Sequence, residues 1–301
     1  MIRFADLCST RSRGRSIAPP GPRAAAGGPP RLLVSVRDAS EAAEAIAAGA
    51  DVLDLKDPRR GPLGECDVTT LRAAAVLRDR RAPRVALSAA LGPARGPRAS
   101  RLAALLATLG YDAVKTGLEG LPDAPEAASY LSRVAATARG SNPGMLVIAA
   151  TYADADSVRA LPHRALPQVT ARAGLDGCLL DTATKDGRPL TGHVDLRDLA
   201  AWVAGCHAGG LIAALAGSLR ESDLAAIAAA GPDLIGARGA LCDGGRNGRL
   251  DALRVAAFRA ALADAWVATL PARGRRGSHR PEASSSARRA HRAGALRSPH
   301  P

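Results

Sequence analysis

Between residues 31 and 270 the sequence alternates two hydrophobic rhythms. Short apolar runs recur as LLVSV (32–36), DVLDLK (51–56), RVALSA (84–89), DAVKTG (112–117), MLVIAAT (145–151), GCLLDT (177–182), LIAALAG (211–217) and DLIGAR (233–238). Their length and β-branched content predict buried strands. Between them lie Ala/Leu-rich stretches with helical spacing, at 39–49, 68–79, 99–110, 124–138, 166–174, 195–209, 222–231 and 247–270. Gly49, Gly110, Gly174, Gly209 and Gly231 stand where a helix needs a left-handed terminator, and Asp195 and Ser222 stand where an N-cap is expected. A strand, a loop and a helix in about 30 residues make one parallel crossover unit. Eight such units predict a single (β/α)8 TIM barrel over residues 31–270. A doubly wound sheet is the alternative, but no G-x-G-x-x-G follows the first strand.

Composition narrows this picture. Hydrophobic residues make up 47% of the 301-residue chain and aromatics only 2%, so the core must be built from Ala, Leu, Val and Ile. No apolar run approaches the roughly 20 residues of a membrane helix. The formal net charge of +13 invites a nucleic-acid reading, but residues 1–30 carry +4 of it and residues 271–301 carry +7. The remaining +2 makes the barrel nearly neutral, and stacking aromatics are scarce, so no specific nucleic-acid partner is expected. A nucleic-acid-binding protein using its basic tails is the remote alternative. The tails read as disordered extensions; the first resembles a transit peptide in composition but lacks the apolar segment of a secretory signal. Cys8, Cys66, Cys178, Cys206 and Cys242 are scattered, and the six histidines form no metal-spaced cluster, His163, His193 and His207 included. Neither metal nor cofactor is expected, and the thiols fit a reducing cytoplasm.

The distribution of cations carries the chemistry. Of 41 Lys plus Arg, lysine occurs only at Lys56, Lys115 and Lys185. The first ends the second strand, the next lies near the end of the fourth, and the last follows the sixth. The C-terminal strand ends are where a barrel builds its site. Arginine stays protonated, whereas a desolvated lysine can lose its proton and attack a carbonyl to form an imine. Alternation along the second strand puts Asp54 on the face of Lys56. Asp181 ends the apolar run of the sixth strand, four residues before Lys185. Both carboxylates can relay protons or pair with an ammonium.

A second signature lies after the seventh and eighth strands, in ALAGSL (214–219) and GARGALCDGGRNGR (236–249). Small residues let backbone N–H groups approach an anion, and barrels hold phosphate at these two loops. Gly217, Ser218, Arg238 and Gly239 are the expected phosphate-binding positions, with a lesser contribution from Arg246 and Asn247. Tyr152, Asp154 and Asp156 follow the fifth strand at the same face and read mainly as a polar loop.

Together LLVSVRD, GADVLDLKDPRRGPLG, DAVKTGLEG, LLDTATKDGRPL, LAGSL and GARGALCDGGRNGR resemble the (5-formylfuran-3-yl)methyl phosphate synthase family from about residue 32 to about residue 265. The resemblance implies a Schiff-base lyase. It would condense two glyceraldehyde 3-phosphate molecules into a furan aldehyde phosphate, losing one phosphate and water, for methanofuran-type cofactors. It places the imine on Lys56 and the proton acceptor on Lys115, with Asp54, Asp181 and Lys185 completing the site. The partner is then a small phosphorylated triose, with no membrane involved. A Schiff-base aldolase acting on another sugar phosphate shares these features and is the main alternative. Oligomeric state is left open, a homo-oligomer included.

Overall fold

The computed structural model describes residues 28–94 and 97–270. The expectations for the two tails concern residues outside that range, apart from 28–30. Eight parallel strands form a closed barrel in sequence order: β1 (Arg31–Val36), β2 (Val52–Leu55), β3 (Ala86–Ala90), β4 (Ala113–Gly117), β5 (Leu146–Tyr152), β6 (Gly177–Asp181), β7 (Ile212–Leu215) and β8 (Leu234–Ala237). The pairing of β1 with β8 closes it. The crossover helices are α1 (Ala39–Ala47), α2 (Val68–Arg81), α3 (Arg98–Thr108), α4 (Ala124–Ser141), α5 (Leu166–Arg172), α7 (Leu196–Ala208) and α8 (Leu224–Ala229), and α9 (Ala252–Thr269) follows the last strand. This is the expected (β/α)8 architecture.

Strand alternation divides the core into two layers. Outward residues such as Leu32, Val34, Leu53, Leu55, Leu87 and Val114 pack with the helices. Inward residues such as Leu33, Val52, Ala113, Ile148, Leu179 and Ile212 fill the barrel. The interior is apolar toward the strand N-termini. Two positions further along the same faces it turns polar, with Ser35, Asp54, Ser88, Lys115 and Asp181.

The local differences from expectation are instructive. Gly49, Gly110, Gly174 and Gly231 take positive φ as their terminator role requires, but after α7 it is Gly210 (φ +69°) and not Gly209 that does so. Ser222 lies within a short 3-10 turn (Glu221–Asp223), and Asp195, though at the N-cap position, makes no side-chain cap bond. The side-chain caps come from Asp38, Asp67, Asp123 and Asp251, each accepting from an N–H three residues on. Residues 247–250, expected to open the last helix, instead belong to a two-stranded hairpin, β9 (Cys242–Asp243) with β10 (Arg249–Leu250). A short helix, α6 (Leu190–His193), follows the loop after β6. No helix among the described residues is long and apolar enough to cross a membrane.

Candidate active site

Register brings the site together. Asp54 on β2 sits beside Ser35 on β1 and Ser88 on β3. Ser88 Oγ donates to Asp54 Oδ1 at 2.8 Å, and Ser35 Oγ reaches Oδ2 at 3.3 Å. The Lys115 ammonium, from β4, forms an ion pair with Asp54 Oδ1. Both partners are buried, at 0% exposure for the Asp54 side chain and 4% for Lys115. Burial pushes the Asp54 carboxyl up, but Lys115, Lys56 and the Ser88 bond together hold it below its ordinary value.

The second cluster is built on β6. Asp181 Oδ1 accepts from Lys185 Nζ at 2.7 Å and from the Thr182 N–H at 2.8 Å, while Oδ2 lies 3.9 Å from Lys56 Nζ. Lys185 also donates to Thr182 Oγ1 at 3.1 Å. Burial raises the Asp181 carboxyl, yet Lys185 and Lys56 outweigh it and bring it down to about 2. Asp154, in the turn just after β5, accepts from the N–H groups of Ala183 (2.7 Å) and Thr184 (2.8 Å) and so holds the loop that carries Lys185.

Lys56 differs in kind from its neighbours. Its Nζ makes no hydrogen bond among the described residues, and Asp181 touches it only at 3.9 Å. Desolvation lowers its pKa to about 8; Asp181 and Asp54 pull it up, and the cations Lys115 and Lys185 push it down. At pH 7 this leaves about 300 times more free amine than a lysine at its ordinary value. Imine formation at Lys56 with a small aldehyde, read by borohydride quench and mass spectrometry, is therefore expected to rise about tenfold per unit at low pH and level off above about pH 8. A midpoint in the ordinary lysine range would show that the site does not activate this amine.

Lys56, Lys115, Lys185, Asp54, Asp181, Gly217, Ser218, Arg238 and Gly239 all line one cavity at the C-terminal mouth of the barrel. Its empty space, open solvent at the mouth included, is about 940 Å³. Gly217 has φ +108°, and a Cβ there would meet Thr182 N at 3.0 Å; Ser218 follows at φ +50°. This left-handed pair turns the backbone inward, and the N–H groups of Ser218, Leu219 and Gly239 find no hydrogen-bond partner among the described residues. Such a concavity suits an anion.

Arg238 contributes differently from expectation. Its five N–H donors go to Glu41 Oε2 (2.8 Å) and Oε1 (3.2 Å), Ser35 O, Arg246 O and Gly248 O. The guanidinium is thus committed to bracing the loop, which leaves only its backbone for an anion. Tyr152 is fully buried and donates to Glu119 Oε1 at 2.6 Å, outside the cavity lining, and Asp156 is exposed. His163, His193 and His207 also lie outside it. The residues missed from sequence are Ser35, Ser88, Thr182 and Glu41. A lone serine in each of LLVSV and RVALSA was the available signal, readable only once register puts both beside Asp54.

Comparison with known proteins adds to this geometry. A family model described as 4-HFC-P synthase matches residues 32–259. The chain is 37% identical over 224 residues to "(5-formylfuran-3-yl)methyl phosphate synthase" of Methanocaldococcus jannaschii, covering 73% of this chain and 94% of that one. It is 39% identical over 219 residues to the protein of the same name from Methanococcus maripaludis, covering 72% and 92%. Among solved structures, a phosphoribosyl anthranilate isomerase from Thermus thermophilus superposes with a TM-score of 0.53 at 19% identity, covering 78% of this chain and 98% of that one; that likeness is one of fold.

Proposed function

The chain belongs to the 4-HFC-P synthase family, and we propose that it joins two glyceraldehyde 3-phosphate molecules through an imine on Lys56. The observation that carries this reading is the unbonded, desolvated amine of Lys56, set between two lysine–carboxylate pairs at the mouth of the barrel. The free amine adds to the carbonyl of one triose phosphate and water leaves as the iminium forms. The iminium draws electrons from the neighbouring carbon, whose proton passes to the Lys115–Asp54 unit. The resulting enamine attacks the aldehyde of the second triose phosphate, forming the carbon–carbon bond.

Ring closure, dehydration and loss of one phosphate then give the furan. Atoms balance: two triose phosphates yield one furan aldehyde phosphate, one phosphate and two waters, with no net redox change. Asp181 and Lys185, 2.7 Å apart, are placed to carry protons to and from leaving oxygens. The retained phosphate rests on the backbone of Gly217, Ser218 and Gly239. The product supplies the furan ring of a methanofuran-type cofactor.

The test needs the purified protein and glyceraldehyde 3-phosphate alone. The expected result is an ultraviolet furan chromophore, with one phosphate released per furan formed. Phosphate-retaining aldol products without a chromophore would mark an aldolase instead.

A further inference from the structure

Arg246, on the turn between β9 and β10, has a divided guanidinium. Its Nη2 donates to Pro58 O at 3.0 Å and Gly61 O at 3.2 Å. These carbonyls belong to the loop that begins directly after Lys56. That loop is closed by Asp57 N–H on Gly64 O (2.9 Å) and seated by Leu63, which is 1% exposed in the inner core. Nε and Nη1 of Arg246 have no partner among the described residues, and no carboxylate there forms an ion pair with it. The side chain is half-buried and lines the same cavity as Gly217, Ser218 and Gly239. A Cβ on Gly239 would lie 3.7 Å from Arg246 N, so the two segments run side by side. The Arg246 carbonyl is itself held by Arg238 Nε at 2.7 Å, which anchors the turn to the buried Arg238–Glu41 pair.

A half-buried guanidinium with two open donor nitrogens and no ion-paired carboxylate among the described residues is a site for an anion. We infer that Arg246 binds the substrate phosphate through Nε and Nη1 and, through Nη2, fixes the loop that follows Lys56, so that phosphate binding positions the reacting amine. The inference rests on the phosphate-loop and imine readings above. A lysine in its place would offer a point charge, without a planar fork able to serve the loop and the anion together. Arg246 is thus a binding and positioning residue, linking the β8 loop to the β2 loop.

The test separates the phosphate from the aldehyde. Unphosphorylated glyceraldehyde is trapped on Lys56 by borohydride, with and without inorganic phosphate, and the adduct is quantified by peptide mass spectrometry. Phosphate is expected to speed trapping in the unmodified protein by about tenfold, the worth of a charge-assisted hydrogen bond. Arg246→Ala is expected to lose that acceleration and Arg246→Lys to keep only a small part of it. The same acceleration in Arg246→Ala, or none in the unmodified protein, overturns the inference. A second measurement needs neither variant nor chemistry: inorganic phosphate should slow amide hydrogen exchange across residues 57–64, and no change there overturns the coupling. If no aldehyde ever marks Lys56, the imine reading falls, and the exchange measurement still decides the role of Arg246.

Discussion

Replacing Lys56 with arginine is expected to abolish turnover while leaving the barrel folded. The loss should be on the order of 10⁴-fold or more, because the substitution removes the proposed nucleophile and leaves only binding and proton transfer. Arginine is similar in size and keeps the positive charge, but its guanidinium does not deprotonate in a protein. The fold should tolerate it for a local reason. Asp181, the nearest carboxylate to Lys56, already accepts from Lys185 and from the Thr182 N–H. Lys56 touches it only at 3.9 Å and its side chain is 12% exposed. The check is threefold: furan absorbance, borohydride adduct at residue 56 and thermal midpoint. Turnover comparable to the unmodified protein would rule out an imine at this position. Arg59 and Arg60, both exposed on the loop just beyond, pair with Asp57 and show how this chain writes a cation that keeps its charge.

The same contrast explains how far the sequence could be read. Eight strands and the lysines at their ends were legible because burial imposes a strict apolar run and because lysine is rare enough here to stand out. Strand ends fell within about two residues of expectation. Short elements were not legible: α6 spans four residues and β9 and β10 two each, too short for any period to show. The bracing of the loop after β8 was hidden for another reason. Glu41 and Arg238 are 197 residues apart, and nothing local to GARGAL says that its arginine turns back onto α1 instead of outward to a ligand. Ser35 and Ser88 could be seen as polar breaks in apolar strands, but their shared partner Asp54 emerges only from the parallel register. Interactions fixed by a strand's own alternation were thus readable, and those fixed by closure of the barrel were not.

Asp54→Asn is expected to be the most destabilising conservative change in the site, and it tests whether stability and chemistry share one ion pair. Asparagine keeps the shape; its Oδ1 can accept from one of the two serines while its Nδ2 donates to the hydroxyl of the other. Among the described residues it removes the only carboxylate paired with Lys115, whose side chain is 4% exposed. Breaking a buried pair from one side leaves an uncompensated charge and costs about 3–5 kcal/mol. For a barrel of this size that lowers the thermal midpoint by about 10 °C. Turnover should fall as well, by about 10² to 10⁴, since the proposed proton-handling unit is broken. The companion variant, Asp54→Leu with Lys115→Met, separates the two effects. With both charges replaced by apolar groups, stability should return to within about 1 kcal/mol of the unmodified protein, because desolvating an ion pair largely cancels its attraction. Turnover should stay lost. If the double variant is no more stable than Asp54→Asn, the instability comes from packing around β2 and not from an unpaired Lys115. If Asp54→Asn melts with the unmodified protein, the pair contributes nothing to the fold and is held in place by the barrel around it.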